Sequence, residues 1–188
     1  MRTDQDTMNE QALIGRLLAG GSAGFRDFVE AYGPQSMALA VNILGNRQDA
    51  EDVCQEAFLQ VFRRLDRYDP ARSFRTWLFT IVSRRAFDVL KKKRRFYRFV
   101  DRATLEPRES FVAGADPDPA RPLPESVLHR LTPRERTALC LWANEGYSAQ
   151  DIAGVLRCSA STVRVYLFNA RKKIRSLMEN DHGVLQTD

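Results

Sequence analysis

A proline-rich stretch near the middle of the chain constrains its fold more than any other feature. Residues 106–126 contain five prolines, and an α-helix cannot continue through them because proline lacks the amide hydrogen and its ring clashes with the preceding turn. On both sides of this stretch, apolar residues recur at helical spacing, and no segment alternates like a β-strand. The sequence therefore predicts an all-α chain with two small helical domains, residues 8–95 and 124–180, joined by a flexible linker over residues 96–123.

The composition is that of a globular protein. Of 188 residues, 44% are hydrophobic and 28% are charged, which is enough apolar material for two small cores. The chain has no run of about 18 apolar residues, the minimum for a membrane span. The polar N-terminus also lacks the apolar core of a signal peptide. We therefore expect a cytoplasmic protein without a membrane span.

Cysteine and histidine offer no metal-binding pattern. Cys54, Cys140 and Cys158 lie far apart in apolar helical segments, without the spacing of a zinc site, and neither His129 nor His182 clusters with them. We predict buried, reduced thiols, no metal and no cofactor.

The two signs of charge are separated along the chain. Residues 1–62 contain nine acidic residues and four arginines, and residues 84–108 contain ten basic and three acidic residues. A chain with one acidic and one basic surface can meet two different partners. The basic part indicates a polyanion, and the acidic part indicates a protein.

Helical signals are clearest in the first half from residue 49 to 65, where acidic residues crowd the first turn of an apolar stripe. Upstream we predict two helices broken at Gly33-Pro34, with a helix stop at Gly45-Asn46. Downstream, Ser73 can cap a helix that ends in the basic run Lys91–Arg95.

The second half carries stronger start and stop signals. Thr132 precedes a proline and an acid, which predicts a capped helix that stops at Gly146. Ser148 with Asp151 predicts a second cap. Ser159 or Ser161 then begins the last helix, in which Val163, Leu167, Ala170 and Ile174 face inward.

The segment from Gly146 to Arg175 has the shape and charge of a helix-turn-helix. Its second helix carries five basic residues and no acid. Arginine can read guanine in the major groove through paired hydrogen bonds, and trailing cations suit phosphates. A solvated surface helix is the alternative, but the capped preceding helix and the short turn favour DNA reading.

The helix that begins at Ser73 combines aromatic residues with cations, as single-stranded nucleic acid requires. Taken alone, the aromatic residues Phe74, Trp77 and Phe79 are more typical of a core, whereas the cation run is more typical of a nucleic-acid contact. Catalytic patterns are missing from the sequence, with no phosphate-cradling glycine loop and no metal or Ser/His/Asp set, so we do not expect an enzyme.

Two ordered blocks of sequence resemble bacterial sigma factors. DAEDVCQEAFLQVF at Asp49–Phe62 and FRTWLFTIVSRRAFDVLKKKRR at Phe74–Arg95 resemble region 2, and Leu131–Leu177 resembles region 4. The short linker leaves no room for a region 3 domain, which is similar to the extracytoplasmic-function class of the sigma-70 family. The resemblance implies a transcription initiation factor that binds core RNA polymerase, recognises −10 and −35 promoter elements and assists promoter melting.

The resemblance also assigns residues and partners. It implies contacts with the polymerase β′ clamp and β flap, with duplex and single-stranded promoter DNA, and with an anti-sigma factor. Polymerase-binding residues would be Asp49, Asp52, Gln55, Glu56 and Phe58. The −10 element would meet Arg84, Arg85, Asp88, Lys91, Lys92 and Arg95. The −35 element would meet Arg164, Phe168, Asn169, Arg171, Lys172 and Lys173.

The chain departs from this family at two site positions. Arg84 stands where the family often has asparagine, and Asn169 stands where it often has a basic residue. We expect the first to change which flipped base is accepted. We expect the second to remove a guanine preference or to shift it toward adenine.

The sequence is also compatible with two other functions. A conventional helix-turn-helix regulator would bind operators as a dimer, although no heptad or terminal helix offers a dimer face. A nucleic-acid enzyme would need carboxylates beside the basic surface, whereas the acidic residues lie in the other part of the chain. The sequence also leaves open whether the two domains pack together or move independently.

Overall fold

The computed structural model describes residues 4–20, 22–70, 73–104 and 130–184. Within these ranges the chain is helical and has no strand, which confirms the all-α prediction. Seven α-helices and one short 3-10 helix (Leu65–Arg67) are present in the described part. The α-helices are α1 (Asp4–Leu18), α2 (Ser22–Leu44), α3 (Arg47–Arg63), α4 (Phe74–Thr104), α5 (Pro133–Glu145), α6 (Ala149–Leu156) and α7 (Ala160–Val184).

The first half packs as a bundle around aromatic residues. Phe28 of α2 is fully buried, and its ring centroid lies 5.2 Å from that of Phe58 in α3 and 5.9 Å from that of Phe74 in α4. Edge-to-face contacts of this kind stabilise a core beyond their buried area. These three rings therefore fix α2, α3 and α4 relative to one another.

The predicted break at Gly33-Pro34 is wrong, because α2 runs unbroken through both residues. A proline inside a helix costs about 3 kcal/mol or more. Burial on both sides of it offsets this cost, since Phe28 precedes Pro34 and Ile43 follows it, and both side chains are fully buried. Tertiary packing therefore overrides the local signal.

Helix α4 is longer than the sequence predicts. It was expected to end in the basic run at Arg95, and it continues to Thr104. The first nine residues of the predicted linker, 96–104, therefore belong to this helix. They contain neither proline nor glycine, so nothing in them interrupts the helix before Pro107. The remainder of the predicted linker and its prolines lie outside the described residues.

The predicted caps of the second half are confirmed. Thr132 and Glu135 form a reciprocal capping box, as do Ser148 and Asp151, and the stop at Gly146 adopts the left-handed conformation, with φ of 63°. The start of α7 is resolved in favour of Ser159, whose Oγ accepts a hydrogen bond from the amide of Thr162 at 3.1 Å.

One cap in the first half was missed. Asn46 was assigned only to the stop of α2, but its Oδ1 also accepts a hydrogen bond from the amide of Asp49 at 2.9 Å. It thereby begins α3 at Arg47, two residues earlier than predicted.

The two halves share one continuous hydrophobic core in this structure. Helix α5 packs on α2, and α6 packs on α4. Phe79 of α4 stacks on Tyr147, with ring centroids 6.1 Å apart. The buried Arg136 donates from Nη2 to the carbonyl of Ile43 at 3.2 Å. We call this contact region the interdomain interface.

Gly24 provides a test of how α1 docks on α2. A Cβ atom at this position would lie 2.5 Å from the carbonyl oxygen of Arg16. We expect Gly24→Ala to lower the free energy of unfolding by about 1–3 kcal/mol, because the backbone of α1 must move away. Urea unfolding measures the change.

Gly33→Ala is the matched control in the same helix. Its Cβ would lie 3.8 Å from Val29, an ordinary contact, so the helix propensity of alanine should add about 0.5–1 kcal/mol of stability. Equal stability of the two variants would contradict the close approach of α1 to Gly24.

Candidate nucleic-acid and polymerase interface

The first turns of α7 present a basic and aromatic stripe to solvent. Val163, Leu167 and Ala170 are buried against the rest of the second half, as predicted. On the opposite side, Arg164 and Phe168 are exposed, and 67% of the Phe168 surface is accessible. A helix anchored on one face by core contacts and open on the other can enter a major groove.

The six predicted −35 residues fall into three groups. Arg164, Phe168 and Lys172 are exposed, and Asn169 is half-buried beside them. The guanidinium carbon of Arg171 lies 4.3 Å from the ring centroid of Trp142 in α5. The Nζ of Lys173 bonds to Oε2 of Glu135 at 2.7 Å, a contact inside the protein. The structure therefore brings five of them to one surface and ties Lys173 to α5.

Glu135 joins the cap of α5 to α7. Its carboxylate accepts from the amide of Thr132 at 2.8 Å and from Lys173, and its side chain is buried. Burial alone would raise the pKa of Glu135, but the hydrogen bonds from Lys173 and Thr132 outweigh burial and hold the pKa below its ordinary value. The group is therefore ionised at neutral pH.

The predicted −10 residues line the exposed side of α4. Arg84, Asp88, Lys91, Lys92 and Arg95 are exposed. The sixth, Arg85, is half-buried and reaches α3: its Nη1 donates to Glu56 at 2.6 Å and its Nε donates to Gln60 at 2.9 Å. Five of the six residues thus form one cationic surface with a single acid.

The aromatic residues at the start of α4 belong to the core. Phe74 and Phe79 are buried, and Trp77 is half-buried with its ring centroid 5.4 Å from that of Tyr68. They are therefore not a stacking platform in this structure. Phe96, which directly follows the basic run, is 62% exposed. Sequence reasoning missed it because the helix was taken to end one residue earlier.

The acidic face of α3 is exposed at Asp52, Gln55 and Glu56 and half-buried at Asp49. Phe58 departs from this group, because its side chain is only 7% exposed and packs on Phe28. The assignment of Phe58 to a docking surface therefore does not fit this structure. Its spacing from Cys54 and Val61, both buried, is the signal that places it in the core.

Two exposed apolar residues extend the acidic face, and the sequence analysis did not assign them to the polymerase-binding surface. Leu59 and Phe62 are 42% and 44% exposed, and they follow Asp52 and Gln55 at helical spacing on the same side of α3. We call the set Asp52, Gln55, Glu56, Leu59 and Phe62 the α3 docking face. A charged rim beside exposed apolar side chains is typical of a protein contact.

Ion pairs connect the acidic helix to the basic helix. Besides Arg85 and Glu56, Lys93 of α4 pairs with Asp49. The Arg85–Glu56 pair is partly exposed to water, so it stabilises the fold by no more than about 1 kcal/mol. The Asp49 carboxylate of the second pair is more buried, with 24% of its side chain accessible. The two surfaces are therefore adjacent and are joined by ion pairs.

The described residues contain no cluster of side chains that could hold a metal ion. Burial, with a smaller effect of Glu51, raises the pKa of the Cys54 thiol to about 12, so this cysteine is an inert core residue. Cys54 and Cys140 are buried, as predicted, whereas Cys158 is half-exposed. Among the described helices, none is both long and apolar enough to cross a membrane.

Comparison with known proteins agrees with this geometry. Residues 28–96 match Sigma-70 region 2, and residues 125–174 match Sigma-70, region 4. RNA polymerase sigma-H factor of Pseudomonas aeruginosa is 32% identical over 182 residues, which cover 90% of this chain and 94% of the relative. RNA polymerase sigma factor CarQ of Myxococcus xanthus is 29% identical over 87% of this chain and 94% of the relative.

Solved structures show the same fold. CnrH in complex with the cytosolic domain of CnrY is 27% identical, with a TM-score of 0.64 over 92% of this chain and 98% of the other. The sigma factor RpoE in complex with the anti-sigma factor NepR from Bartonella quintana has a TM-score of 0.64 over 82% of this chain and 96% of the other, at 22% identity.

The two family matches and the sigma-H relative place the chain among the transcription initiation factors that recognise promoters. The chain belongs to the sigma-70 family, in the extracytoplasmic-function class of RNA polymerase sigma factors. Its partners are therefore core RNA polymerase and promoter DNA.

Replacing Glu135 tests the link between α5 and α7. Because its pKa is lowered on folding, Glu135 contributes stability above its unfolded pKa, and this contribution is lost as pH falls through the folded value. We expect Glu135→Gln to lower the free energy of unfolding by about 1 kcal/mol at pH 7, with the difference shrinking below about pH 4. Urea unfolding across this pH range measures it.

Glu51→Gln is the matched control, since the Arg47–Glu51 pair is exposed on both sides. It should change stability by less than about 0.5 kcal/mol at pH 7. A pH-independent effect of Glu135→Gln would contradict the ionised, paired state of Glu135.

Proposed function

We propose that this sigma factor uses three separate surfaces: the α3 docking face for the polymerase β′ clamp, α4 for the −10 element and α7 for the −35 element. One observation carries the proposal. The exposed stripe of α7 and the exposed cations of α4 lie on different halves of the chain, while the acidic surface lies beside α4. Each surface has the charge that its partner requires.

The −35 assignment rests on the anchoring of α7. The Ser159 cap fixes the start of this helix, and the buried stripe fixes its rotation. Arg164 and Phe168 then face outward near the N-terminal end, where a recognition helix approaches base edges. Arginine reads guanine, and the phenyl ring of Phe168 offers an apolar contact for a thymine methyl group.

The −10 assignment rests on the cations of α4. Opening the duplex requires unstacking, which costs a few kcal/mol per base, and neutralised phosphates together with a stacking surface offset that cost. Lys91, Lys92 and Arg95 supply the charge. The exposed ring of Phe96 is the aromatic group next to them.

The protein acts without catalysis of its own in this proposal, and it works in the cytoplasm, where polymerase and promoters are found. The solved relatives include a complex with an anti-sigma factor. We propose that an anti-sigma factor also controls this chain. A dimeric operator-binding regulator finds no support in the comparisons or in the fold.

Promoter binding also requires the two halves to separate. The −10 and −35 elements are about 25 base pairs apart, which is about 85 Å of duplex at roughly 3.4 Å per base pair. In this structure α6 of the helix-turn-helix packs directly on α4. Both reading surfaces are exposed, but this packing ties the helix-turn-helix to α4. We propose that polymerase binding opens the interdomain interface.

Charge reversal tests the α3 docking face. We expect Asp52→Lys with Glu56→Lys to weaken binding to core polymerase more than ten-fold, because the reversed charges repel the partner. Asp66→Lys, which changes an exposed acid beyond the end of α3, is the matched control and should bind like the wild type. Equilibrium titration of labelled protein with core polymerase measures the affinities.

Run-off transcription on genomic promoter fragments extends the same test. Wild type and Asp66→Lys should give new transcripts that share two upstream elements, and the double reversal should give none. Normal transcription by the double reversal would place the polymerase contact elsewhere on the chain.

Weakening the interdomain interface should favour the open form. We expect Tyr147→Ala to remove the stack on Phe79 and raise the affinity of the polymerase complex for a promoter, since less free energy is needed to open the chain. Dyes on the half-exposed Cys158 and on Gln48→Cys report the separation of the halves.

Energy transfer between these dyes should be high in the free protein and fall when core polymerase and promoter are added. At the same polymerase concentration, energy transfer should fall further in Tyr147→Ala than in the chain with Tyr147. Unchanged transfer in a transcribing complex would contradict opening.

A further inference from the structure

Trp142 is exposed in a way that its position in the fold does not explain. It lies near the end of α5 with 44% of its surface accessible, whereas its neighbours Leu139 and Leu141 are buried. A tryptophan that served only the core would be covered. Its indole ring instead lies beneath the guanidinium of Arg171, whose central carbon is 4.3 Å from the ring centroid.

This distance is well inside the range of a cation–π contact, for which tryptophan is the best partner. Arg171 follows Arg164 and Phe168 at positions i+7 and i+3, so it lies on the same exposed stripe of α7. The ring therefore holds the cation on the surface that faces DNA in the proposed function. A guanidinium stacked on a ring still presents its N–H edge to a phosphate.

We propose that Trp142 is a positioning residue for DNA binding: it orders the Arg171 side chain before the duplex arrives, so that Arg171 contacts a backbone phosphate beside the −35 element. The proposal rests on the proposed role of α7. An ordered arginine loses less side-chain freedom when it binds, which raises affinity without a new contact.

Helix α5 contacts two cations of α7, Arg171 and Lys173, in different ways. Glu135 of α5 takes up the ammonium of Lys173 in an ion pair at 2.7 Å. Trp142 neutralises no charge, so Arg171 keeps its full attraction for phosphate. One helix thus withdraws one cation of α7 from the DNA surface and positions another on it.

A double-mutant cycle in the full-length chain tests the proposal. Because a phosphate contact is independent of sequence, the probe is a mixed-sequence duplex of about 20 base pairs at low salt. We expect Trp142→Leu to weaken binding about three-fold and Trp142→Phe to weaken it less. In the Arg171→Ala background, Trp142→Leu should cause no further loss.

The salt dependence separates positioning from contact. Arg171→Ala should reduce the slope of log affinity against log salt by roughly one, because one phosphate contact is lost. Trp142→Leu should leave that slope close to the wild-type value, since the charge remains. A purely structural role of Trp142 would lower the thermal midpoint without coupling to Arg171.

If Trp142→Leu fails to fold, Arg171→Lys is the alternative variant for the test. The lysine keeps the positive charge but lacks the flat guanidinium that stacks on the indole ring. It should weaken binding, and Trp142→Phe should then have no effect in its background. A three-fold loss from Trp142→Leu that persists with Arg171→Ala would overturn the proposal and make Trp142 a direct DNA contact. No loss in the wild-type background would overturn it as well.

The proposed function has a separate readout. If the wild-type chain neither binds duplex DNA nor supports transcription with core polymerase, the role of α7 fails and the positioning role fails with it. If transcription and the effect of Arg171→Ala are as expected but the cycle shows no coupling, the role of Trp142 alone is overturned.

Discussion

The arrangement of this sigma factor depends on the interdomain interface. It joins residues that are far apart in sequence: the hydrogen bond between Arg136 and the carbonyl of Ile43 spans 93 positions. Around it, Phe79 and Tyr147 continue the core of one half into the other. Because this core is shared, the relative position of the two reading surfaces is a property of packing and not of the linker.

The interdomain interface is not purely apolar. The interface includes charged and aromatic groups, such as Arg134, whose guanidinium lies 5.4 Å from the ring centroid of Phe87 and donates to the carbonyl of Leu156 at 3.3 Å. Parts of one chain move relative to each other unless their interface is large and hydrophobic. Because this interface contains a shared apolar core, we expect the closed form to open only when a partner supplies contacts in exchange.

Local chemistry explains which parts of the fold were predictable. The caps at Thr132, Ser148 and Gly146 were read correctly because each depends on a few neighbouring residues. The continuity of α2 through Pro34 was not predicted. The cost of the proline is a local effect, whereas the burial that compensates it depends on packing against other helices. The extension of α4 was missed because a run of cations was taken as a helix end, although no breaker follows it before Pro107.

The site was predictable in outline and not in its contacts. The charge pattern located the α4 and α7 cations, and the exposure of most of them agrees with that placement. Nothing in the local sequence shows that Arg171 meets Trp142 or that Lys173 meets Glu135, because these pairs join positions 29 and 38 residues apart. The family resemblance assigned Phe58 to the docking surface, whereas its side chain is buried in this structure.

The long-range closure of the core has a consequence for synthesis on the ribosome. The first half emerges first, and at roughly 5–20 residues per second the helices that cover α2 and α4 follow several seconds later. During that interval Phe79, on which Tyr147 stacks in the complete fold, and the neighbouring apolar side chains of α2 are exposed. A newly made chain therefore passes through a stage at which the apolar face of its first half is not yet covered by its second half.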